Sequence, residues 1–156
     1  METRLGPLTI VGKELRTTND NAQAFTDIPT FWEKFYQDGT IEKIPHKVTE
    51  DIYAIYTNFA HEGIDNMGVY SFIIGCQVHA GEHPPEGLVS VELPRATYAV
   101  FSSEPGRPEK IVETWQKIWQ LSEQDRGFDS RRSYRADFEH YRPSGEIAVY
   151  IGMKDA

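Results

Sequence analysis

One cysteine, Cys76, occurs in the 156 residues, so no internal disulfide can form. No basic residue adjoins it in "FIIGCQV", and it reads as a buried, inert thiol rather than a nucleophile. Long apolar runs are also missing. The longest, "VYSFIIGCQV", falls far short of a membrane span, and the opening "METRLGPLTI" lacks the apolar core of a signal peptide. A soluble, cytoplasmic protein with no membrane partner is expected. Basic residues are scarce: 16 Lys and Arg stand against 24 Asp and Glu, a formal charge of −8. Without a basic stripe to neutralise phosphates, direct binding of nucleic acid is not expected, while a negative field favours the approach of cations. There is no P-loop, dinucleotide fingerprint or nucleophile elbow, and the glycines fall singly in turn contexts, so no cofactor is expected. Ser102, Ser103 and Ser130 have no histidine and acid placed by sequence to activate them and read as turn residues. "HAGEH", His79 to His83, has the H-x-x-E-H spacing of a zinc site, which requires both histidines on one helical face. Gly81 interrupts it and Pro84-Pro85 follow, so the segment is expected to be a loop without zinc.

What the sequence does have is a repeat. "WEKFYQ", from Trp32, returns as "WQKIWQ", from Trp115, roughly half the chain later. The first copy belongs to "IPTFWEKFYQDG", where Ile28, Phe31, Trp32 and Phe35 share a helical face, with Pro29 suited to the first turn and Gly39 to the exit. "LTIVGKELR" before it has strand character. "DIYAIYTNF" and "GVYSFIIGCQV" after it are rich in aromatic and β-branched residues. In the second half "LVSVELPRATYAVFSS" reads as a long strand or a strand pair bent at Pro94. A helix after Pro108 carries Ile111, Trp115, Ile118 and Trp119, and "YRADFEHY" and "EIAVYIGM" pair around "RPSG". The expected fold is therefore α+β: two tandem strand-helix-strand-strand units, about 1–80 and 87–156, in one domain of residues 1–156. They form a mainly antiparallel curved sheet with two helices related by a pseudo-twofold axis. Two equivalent helices facing each other would line a cleft with tryptophan, although a helix-face tryptophan serves a core equally well.

In "ADFEHY" strand alternation puts Asp137, Glu139 and Tyr141 on one side and Phe138 and His140 on the other. Which side faces inward is open at this level. Facing solvent, Glu139 is an ordinary strand carboxylate. Facing inward among aromatic rings, it is desolvated until a cation pairs with it, and ring faces add cation–π attraction of roughly 2 kcal/mol per desolvated contact.

"LPRATYAVFSSEPGRPEKIVETWQKIW", followed by "FEHY" and the terminal "IAVYIGM", resembles the GyrI-like family, the effector-binding domain of AraC- and MerR-type activators; "IPTFWEKF" and "YSFIIG" add weaker support. The resemblance spans the whole chain. It implies binding of amphipathic, often cationic, small molecules in an aromatic cleft whose buried glutamate pairs with the positive charge. Carried over by position, that glutamate is Glu139, with Tyr141 beside it, Trp32 and Trp115 as the helix tryptophans and Tyr53 as a pocket aromatic in "YAIY". The stretch "LSEQDRGFDSRRSYRADFEHY" departs from the Trp-Leu-Pro and Ser-Gly-Tyr that the family often shows after its second helix, which implies a different pocket rim. No helix-turn-helix or winged-helix segment precedes the first strand, so a stand-alone binding module is expected rather than a complete transcription factor, and with no second positioned proton carrier identified, binding is expected rather than catalysis. Two alternatives accompany it among relatives: a hydrolase of strained electrophilic natural products using the same glutamate as base, and a gyrase-inhibitor-like module with a protein partner.

Overall fold

The computed structural model describes residues 1–155. In chain order the elements are β1 (Glu2–Leu5), β2 (Leu8–Thr18), α1 (Gln23–Gln37), α2 (Thr40–Lys43), β3 (Ile52–Thr57), β4 (Val69–Val78), β5 (Val89–Leu93), β6 (Ala96–Ser103), α3 (Ile111–Gln124), α4 (Arg126–Arg131), β7 (Arg132–Tyr141) and β8 (Ile147–Met153). The strands form one 8-stranded sheet in the order β1-β6-β8-β7-β3-β4-β2-β5, antiparallel at every junction. No helix among the described residues is long and apolar enough to cross a membrane.

The sheet is symmetric about the β7·β3 seam. Outward from it, β3, β4 and β2 on one side answer to β7, β8 and β6 on the other, and α1 follows β2 as α3 follows β6. This is the α+β, twofold-repeated fold that the repeated tryptophan helix and element order lead one to expect. The short lead strands trade sides. β1 directly precedes β2 yet pairs with β6, and β5 directly precedes β6 yet pairs with β2. Pro94 lies between β5 and β6, so the proline separates a strand pair rather than bending one long strand.

Both faces of the sheet are buried, by different means. On the helix-bearing face, Phe31 and Phe35 of α1 pack on Ala54, Tyr70, Phe72 and Ile74, and Ile118 of α3 packs with Ala99, Val149 and Ile151. On the other face Ile10, Tyr53, Ile55, Ile73, Tyr98 and Phe138 are also buried, with Leu5 of β1, Val89 and Val91 of β5, and Leu8 and Ala96 at the starts of β2 and β6 packed against them. Among the described residues no helix contributes to the cluster on this face. The sheet must curl over its own apolar side chains, and β4 accordingly reads as a continuous apolar run rather than an alternating one.

Glycine permits the curl. Gly12 and Gly75 face each other across β2 and β4, and a Cβ on either would lie 2.1 Å from a carbonyl oxygen of the opposite strand. Gly152, which occupies in β8 the place of Gly75 in β4, has the same problem, with the Ala136 carbonyl oxygen 2.4 Å from an added Cβ. Such close approach is one of the few reasons for glycine inside a strand.

The helix α1 begins before Pro29, with the proline in its interior, which corrects the expectation that Pro29 opens it. Its buried and packed positions, Ala24, Ile28, Phe31 and Phe35, already follow helical spacing ahead of the proline. The early turn is held besides by Asp27, which accepts from Thr17 Oγ1 at 2.8 Å and Gln23 Nε2 at 2.9 Å. These contacts outweigh the single backbone hydrogen bond that proline removes. Cys76 is fully buried, and burial pushes its thiol up to about 11.

Candidate functional site

Glu139 lies at the seam, paired across the sheet with Ala54 of β3 and Val149 of β8. Its small neighbour Ala54 leaves room on the helix-bearing face, and the carboxylate is 3% exposed. Three side chains from three elements converge on it. Tyr56 of β3 donates its hydroxyl to Oε2 at 2.7 Å, and Trp115 of α3 donates its indole N–H to the same oxygen at 2.8 Å. Tyr141, two residues along β7, donates its hydroxyl to Oε1. All three donors are neutral, and among the described residues no Lys or Arg forms an ion pair with Glu139. Burial pushes its carboxyl above the usual range, with the three hydrogen bonds pulling back only part of the way. Burial, reinforced by the adjacent carboxylate, holds the Tyr56 and Tyr141 hydroxyls well above the ordinary tyrosine range, so both remain donors.

This group borders a cleft of about 980 Å³ between α1 and α3. Trp32 and Tyr36 enter it from α1, Trp115 and Trp119 from α3, and Tyr141 from the sheet. The rings brace one another: Trp32 meets Tyr141 edge-on at 5.4 Å, and Trp115 meets Tyr56 edge-on at 5.2 Å. At the mouth Phe25 of α1 and Trp119 of α3 approach edge-to-face at 6.3 Å, although 65% and 38% of their surfaces stay exposed. Edge-to-face pairs are favoured by the ring quadrupoles, which fixes the walls without filling the space between them.

A second buried acid borders the same cleft. Asp137 accepts from Arg132 Nη2 at 3.1 Å and from the Gly152 backbone N–H at 2.9 Å, and both side chains of the ion pair are almost fully buried. The guanidinium sits over the Tyr134 ring at 4.5 Å. An irregularity in β7 between Arg132 and Asp137 makes this pairing, because it breaks the alternation that would otherwise place the two on opposite faces.

Of the five residues expected at a site, Glu139, Tyr141, Trp32 and Trp115 border this cleft, and Tyr53 does not. Tyr53 lies on the helix-free face, stacked on His140 at 4.4 Å, and His140 in turn contacts Asp51 at 2.7 Å. Tyr53 and Tyr56 are three positions apart along β3, an odd offset, so the two point to opposite faces, and Tyr56 is the one that reaches the carboxylate. His79 and His83 fall in the loop between β4 and β5, and no metal-ligating cluster occurs among the described residues.

The two tyrosines supply a test. Tyr56→Phe removes a donor from a buried carboxylate and is expected to lower the unfolding free energy at pH 7 by about 1.5 to 3 kcal/mol. Tyr53→Phe deletes a hydroxyl that makes no such bond and is expected to change it by about 0.5 kcal/mol or less. Urea denaturation of both variants checks the pair.

Residues 3–153 match a protein family described as Cass2, integron-associated effector binding protein. Among curated proteins, the chain is 29% identical over 165 residues to the putative transcriptional regulator protein YobU of Bacillus subtilis, covering 97% of this chain and 96% of that protein. An integron cassette protein from Vibrio cholerae superposes with a TM-score of 0.75 at 21% identity, over 99% of this chain and 95% of its own. The structure of SAV2435 bound to tetraphenylphosphonium superposes with a TM-score of 0.77 at 18% identity, over 99% and 93%. At these identities the two superpositions speak to the fold.

Proposed function

We propose that this chain, which belongs to the Cass2 family of integron-associated effector-binding proteins, takes up amphipathic aromatic cations in the cleft between α1 and α3, with Glu139 as their counter-ion. One observation carries the reading: a buried carboxylate in an aromatic cleft has three neutral donors and, among the described residues, no cationic partner. Such a group is costly to keep ionised, and an incoming cation offsets that cost. Tryptophan and tyrosine faces add cation–π attraction of roughly 2 kcal/mol per desolvated contact. The solved relative SAV2435 was captured with a cation of this class, tetraphenylphosphonium.

The same geometry disfavours a hydrolytic role for Glu139. A carboxylate has about four lone-pair positions, and three here already accept hydrogen bonds. Little capacity is left for activating water, whereas a cation without N–H groups needs only the charge.

The ionised form is the binding form, and this sets the pH dependence. For a permanently charged probe, affinity rises with pH up to the raised pKa of Glu139, about tenfold per unit below it, and then levels off. The stability of the ligand-free protein runs the opposite way. Because the folded carboxyl holds its proton more tightly than the unfolded one, the Glu139 contribution falls as pH rises from the ordinary value of 4.5 through the folded value. Thermal unfolding with tetraphenylphosphonium, neutral triphenylphosphine oxide and anionic tetraphenylborate across pH tests both trends. Only the cation is expected to raise Tm, and more so at higher pH. Equal shifts from cation and anion would remove the counter-ion reading.

A further inference from the structure

The cleft holds a second polar feature that cation capture by Glu139 does not use. Among the described residues, two buried side-chain atoms lack a hydrogen-bond partner, Ser103 Oγ and Arg132 Nε. Ser103 does not border the cleft and Arg132 does. Arg132 is only 3% exposed. Its Nη2 is committed to Asp137 and its Nη1 reaches Ser122 Oγ at 3.4 Å, while the face of the guanidinium lies on Tyr134. A buried charged donor without an acceptor is costly, and native proteins rarely tolerate one without a reason.

Building on the cation-binding reading, we propose that Arg132 is a specificity-determining residue of the cleft, whose Nε–H takes a hydrogen-bond acceptor carried by the ligand. The ligand class is thereby narrowed to an aromatic cation that also bears a neutral acceptor such as a ketone, ether or amide carbonyl. Spacing follows from the strand. Asp137, which anchors Arg132, and Glu139 are two residues apart on one face of β7, a separation of roughly 7 Å. The acceptor and the cationic centre should therefore be about that far apart. Charge argues for a neutral acceptor. Asp137 already neutralises the guanidinium, so an anionic group on the ligand would meet a second carboxylate beside its partner.

The test compares two alkyl(triphenyl)phosphonium probes, one with a ketone roughly 7 Å from phosphorus and one with a methylene in its place. Titration calorimetry with the wild-type protein is expected to show the ketone binding about tenfold tighter or better. Arg132→Lys keeps a positive charge against Asp137 but has no Nε–H, and is expected to lose that preference, binding the ketone and methylene probes with equal affinity. The double variant R132M/D137L, which replaces the ion pair by apolar side chains, is expected to behave likewise and guards against a misfolded single variant. Equal affinities of the two probes for wild type, or a preference that survives in both variants, would overturn the role of Arg132 and leave cation capture standing. Failure of the methylene probe to bind, or binding that Glu139→Gln does not weaken, would overturn cation capture itself and this inference with it.

Discussion

Glu139→Gln is expected to weaken binding of a cationic aromatic ligand by about 2 to 5 kcal/mol, some 30-fold to several thousandfold, while a neutral analogue of the same shape loses roughly 1 kcal/mol or less. The substitution keeps the side chain's size and most of its hydrogen-bonding capacity, since the amide oxygen still accepts from Tyr56 and Trp115, which share one carboxylate oxygen in the native protein. What it removes is charge in a site where the field is little screened, because the carboxylate is buried and the surrounding donors are neutral. The ligand-free variant should meanwhile be slightly more stable at neutral pH, since a buried carboxylate without a cation opposes folding. Calorimetric titration of both ligands against both proteins yields the coupling energy directly. Equal losses for cation and neutral analogue would show that Glu139 acts through shape alone.

Gly75→Ala should be the more drastic change for the fold, lowering the unfolding free energy by about 3 kcal/mol or more, or preventing folding. The added methyl would fall 2.1 Å from the Val11 carbonyl oxygen, an obstacle made of backbone that no rotamer change can relieve. Overpacking in a core usually costs about 1 to 3 kcal/mol where side chains can yield; here the partner strand itself would have to move. Gly127→Ala is the contrast. Its nearest neighbour is the end of the Asp125 side chain at 3.2 Å, and alanine favours a helix, so a change within about 1 kcal/mol is expected. Urea denaturation distinguishes the two if the slopes remain alike.

Much of this arrangement is legible from residue order, and the gaps have identifiable causes. Alternation along "ADFEHY" puts Asp137, Glu139 and Tyr141 on one face, as observed, because that part of β7 is regular. It says nothing of Arg132, five residues before Asp137, since strand spacing would send the two to opposite faces and only the irregularity in β7 reunites them. Tyr53 and Tyr56 are indistinguishable as letters in "YAIY"; which of them meets Glu139 is decided by the β3·β7 pairing, a contact between distant parts of the chain. The strand "ETRL" offers little apolar signal, and its place is set by β6, in the other half. Pro29 points to a helix start, yet packing of Ala24 and Ile28 carries α1 past it.

The exchange of lead strands bears on how such a protein can arise and be taken apart. Each half closes its outer flank with a strand belonging to the other, β5 on β2 and β1 on β6. Cut between the halves, and either fragment would bare a ladder of unpaired N–H and C=O groups at that flank and another at the seam, the kind of border on which chains aggregate. In folding, these borders can seal only by joining segments far apart along the chain, so closure must wait until both halves are present. The repeat written in the sequence is thus a duplicated unit whose copies have become mutually obligatory, each supplying the hem of the other.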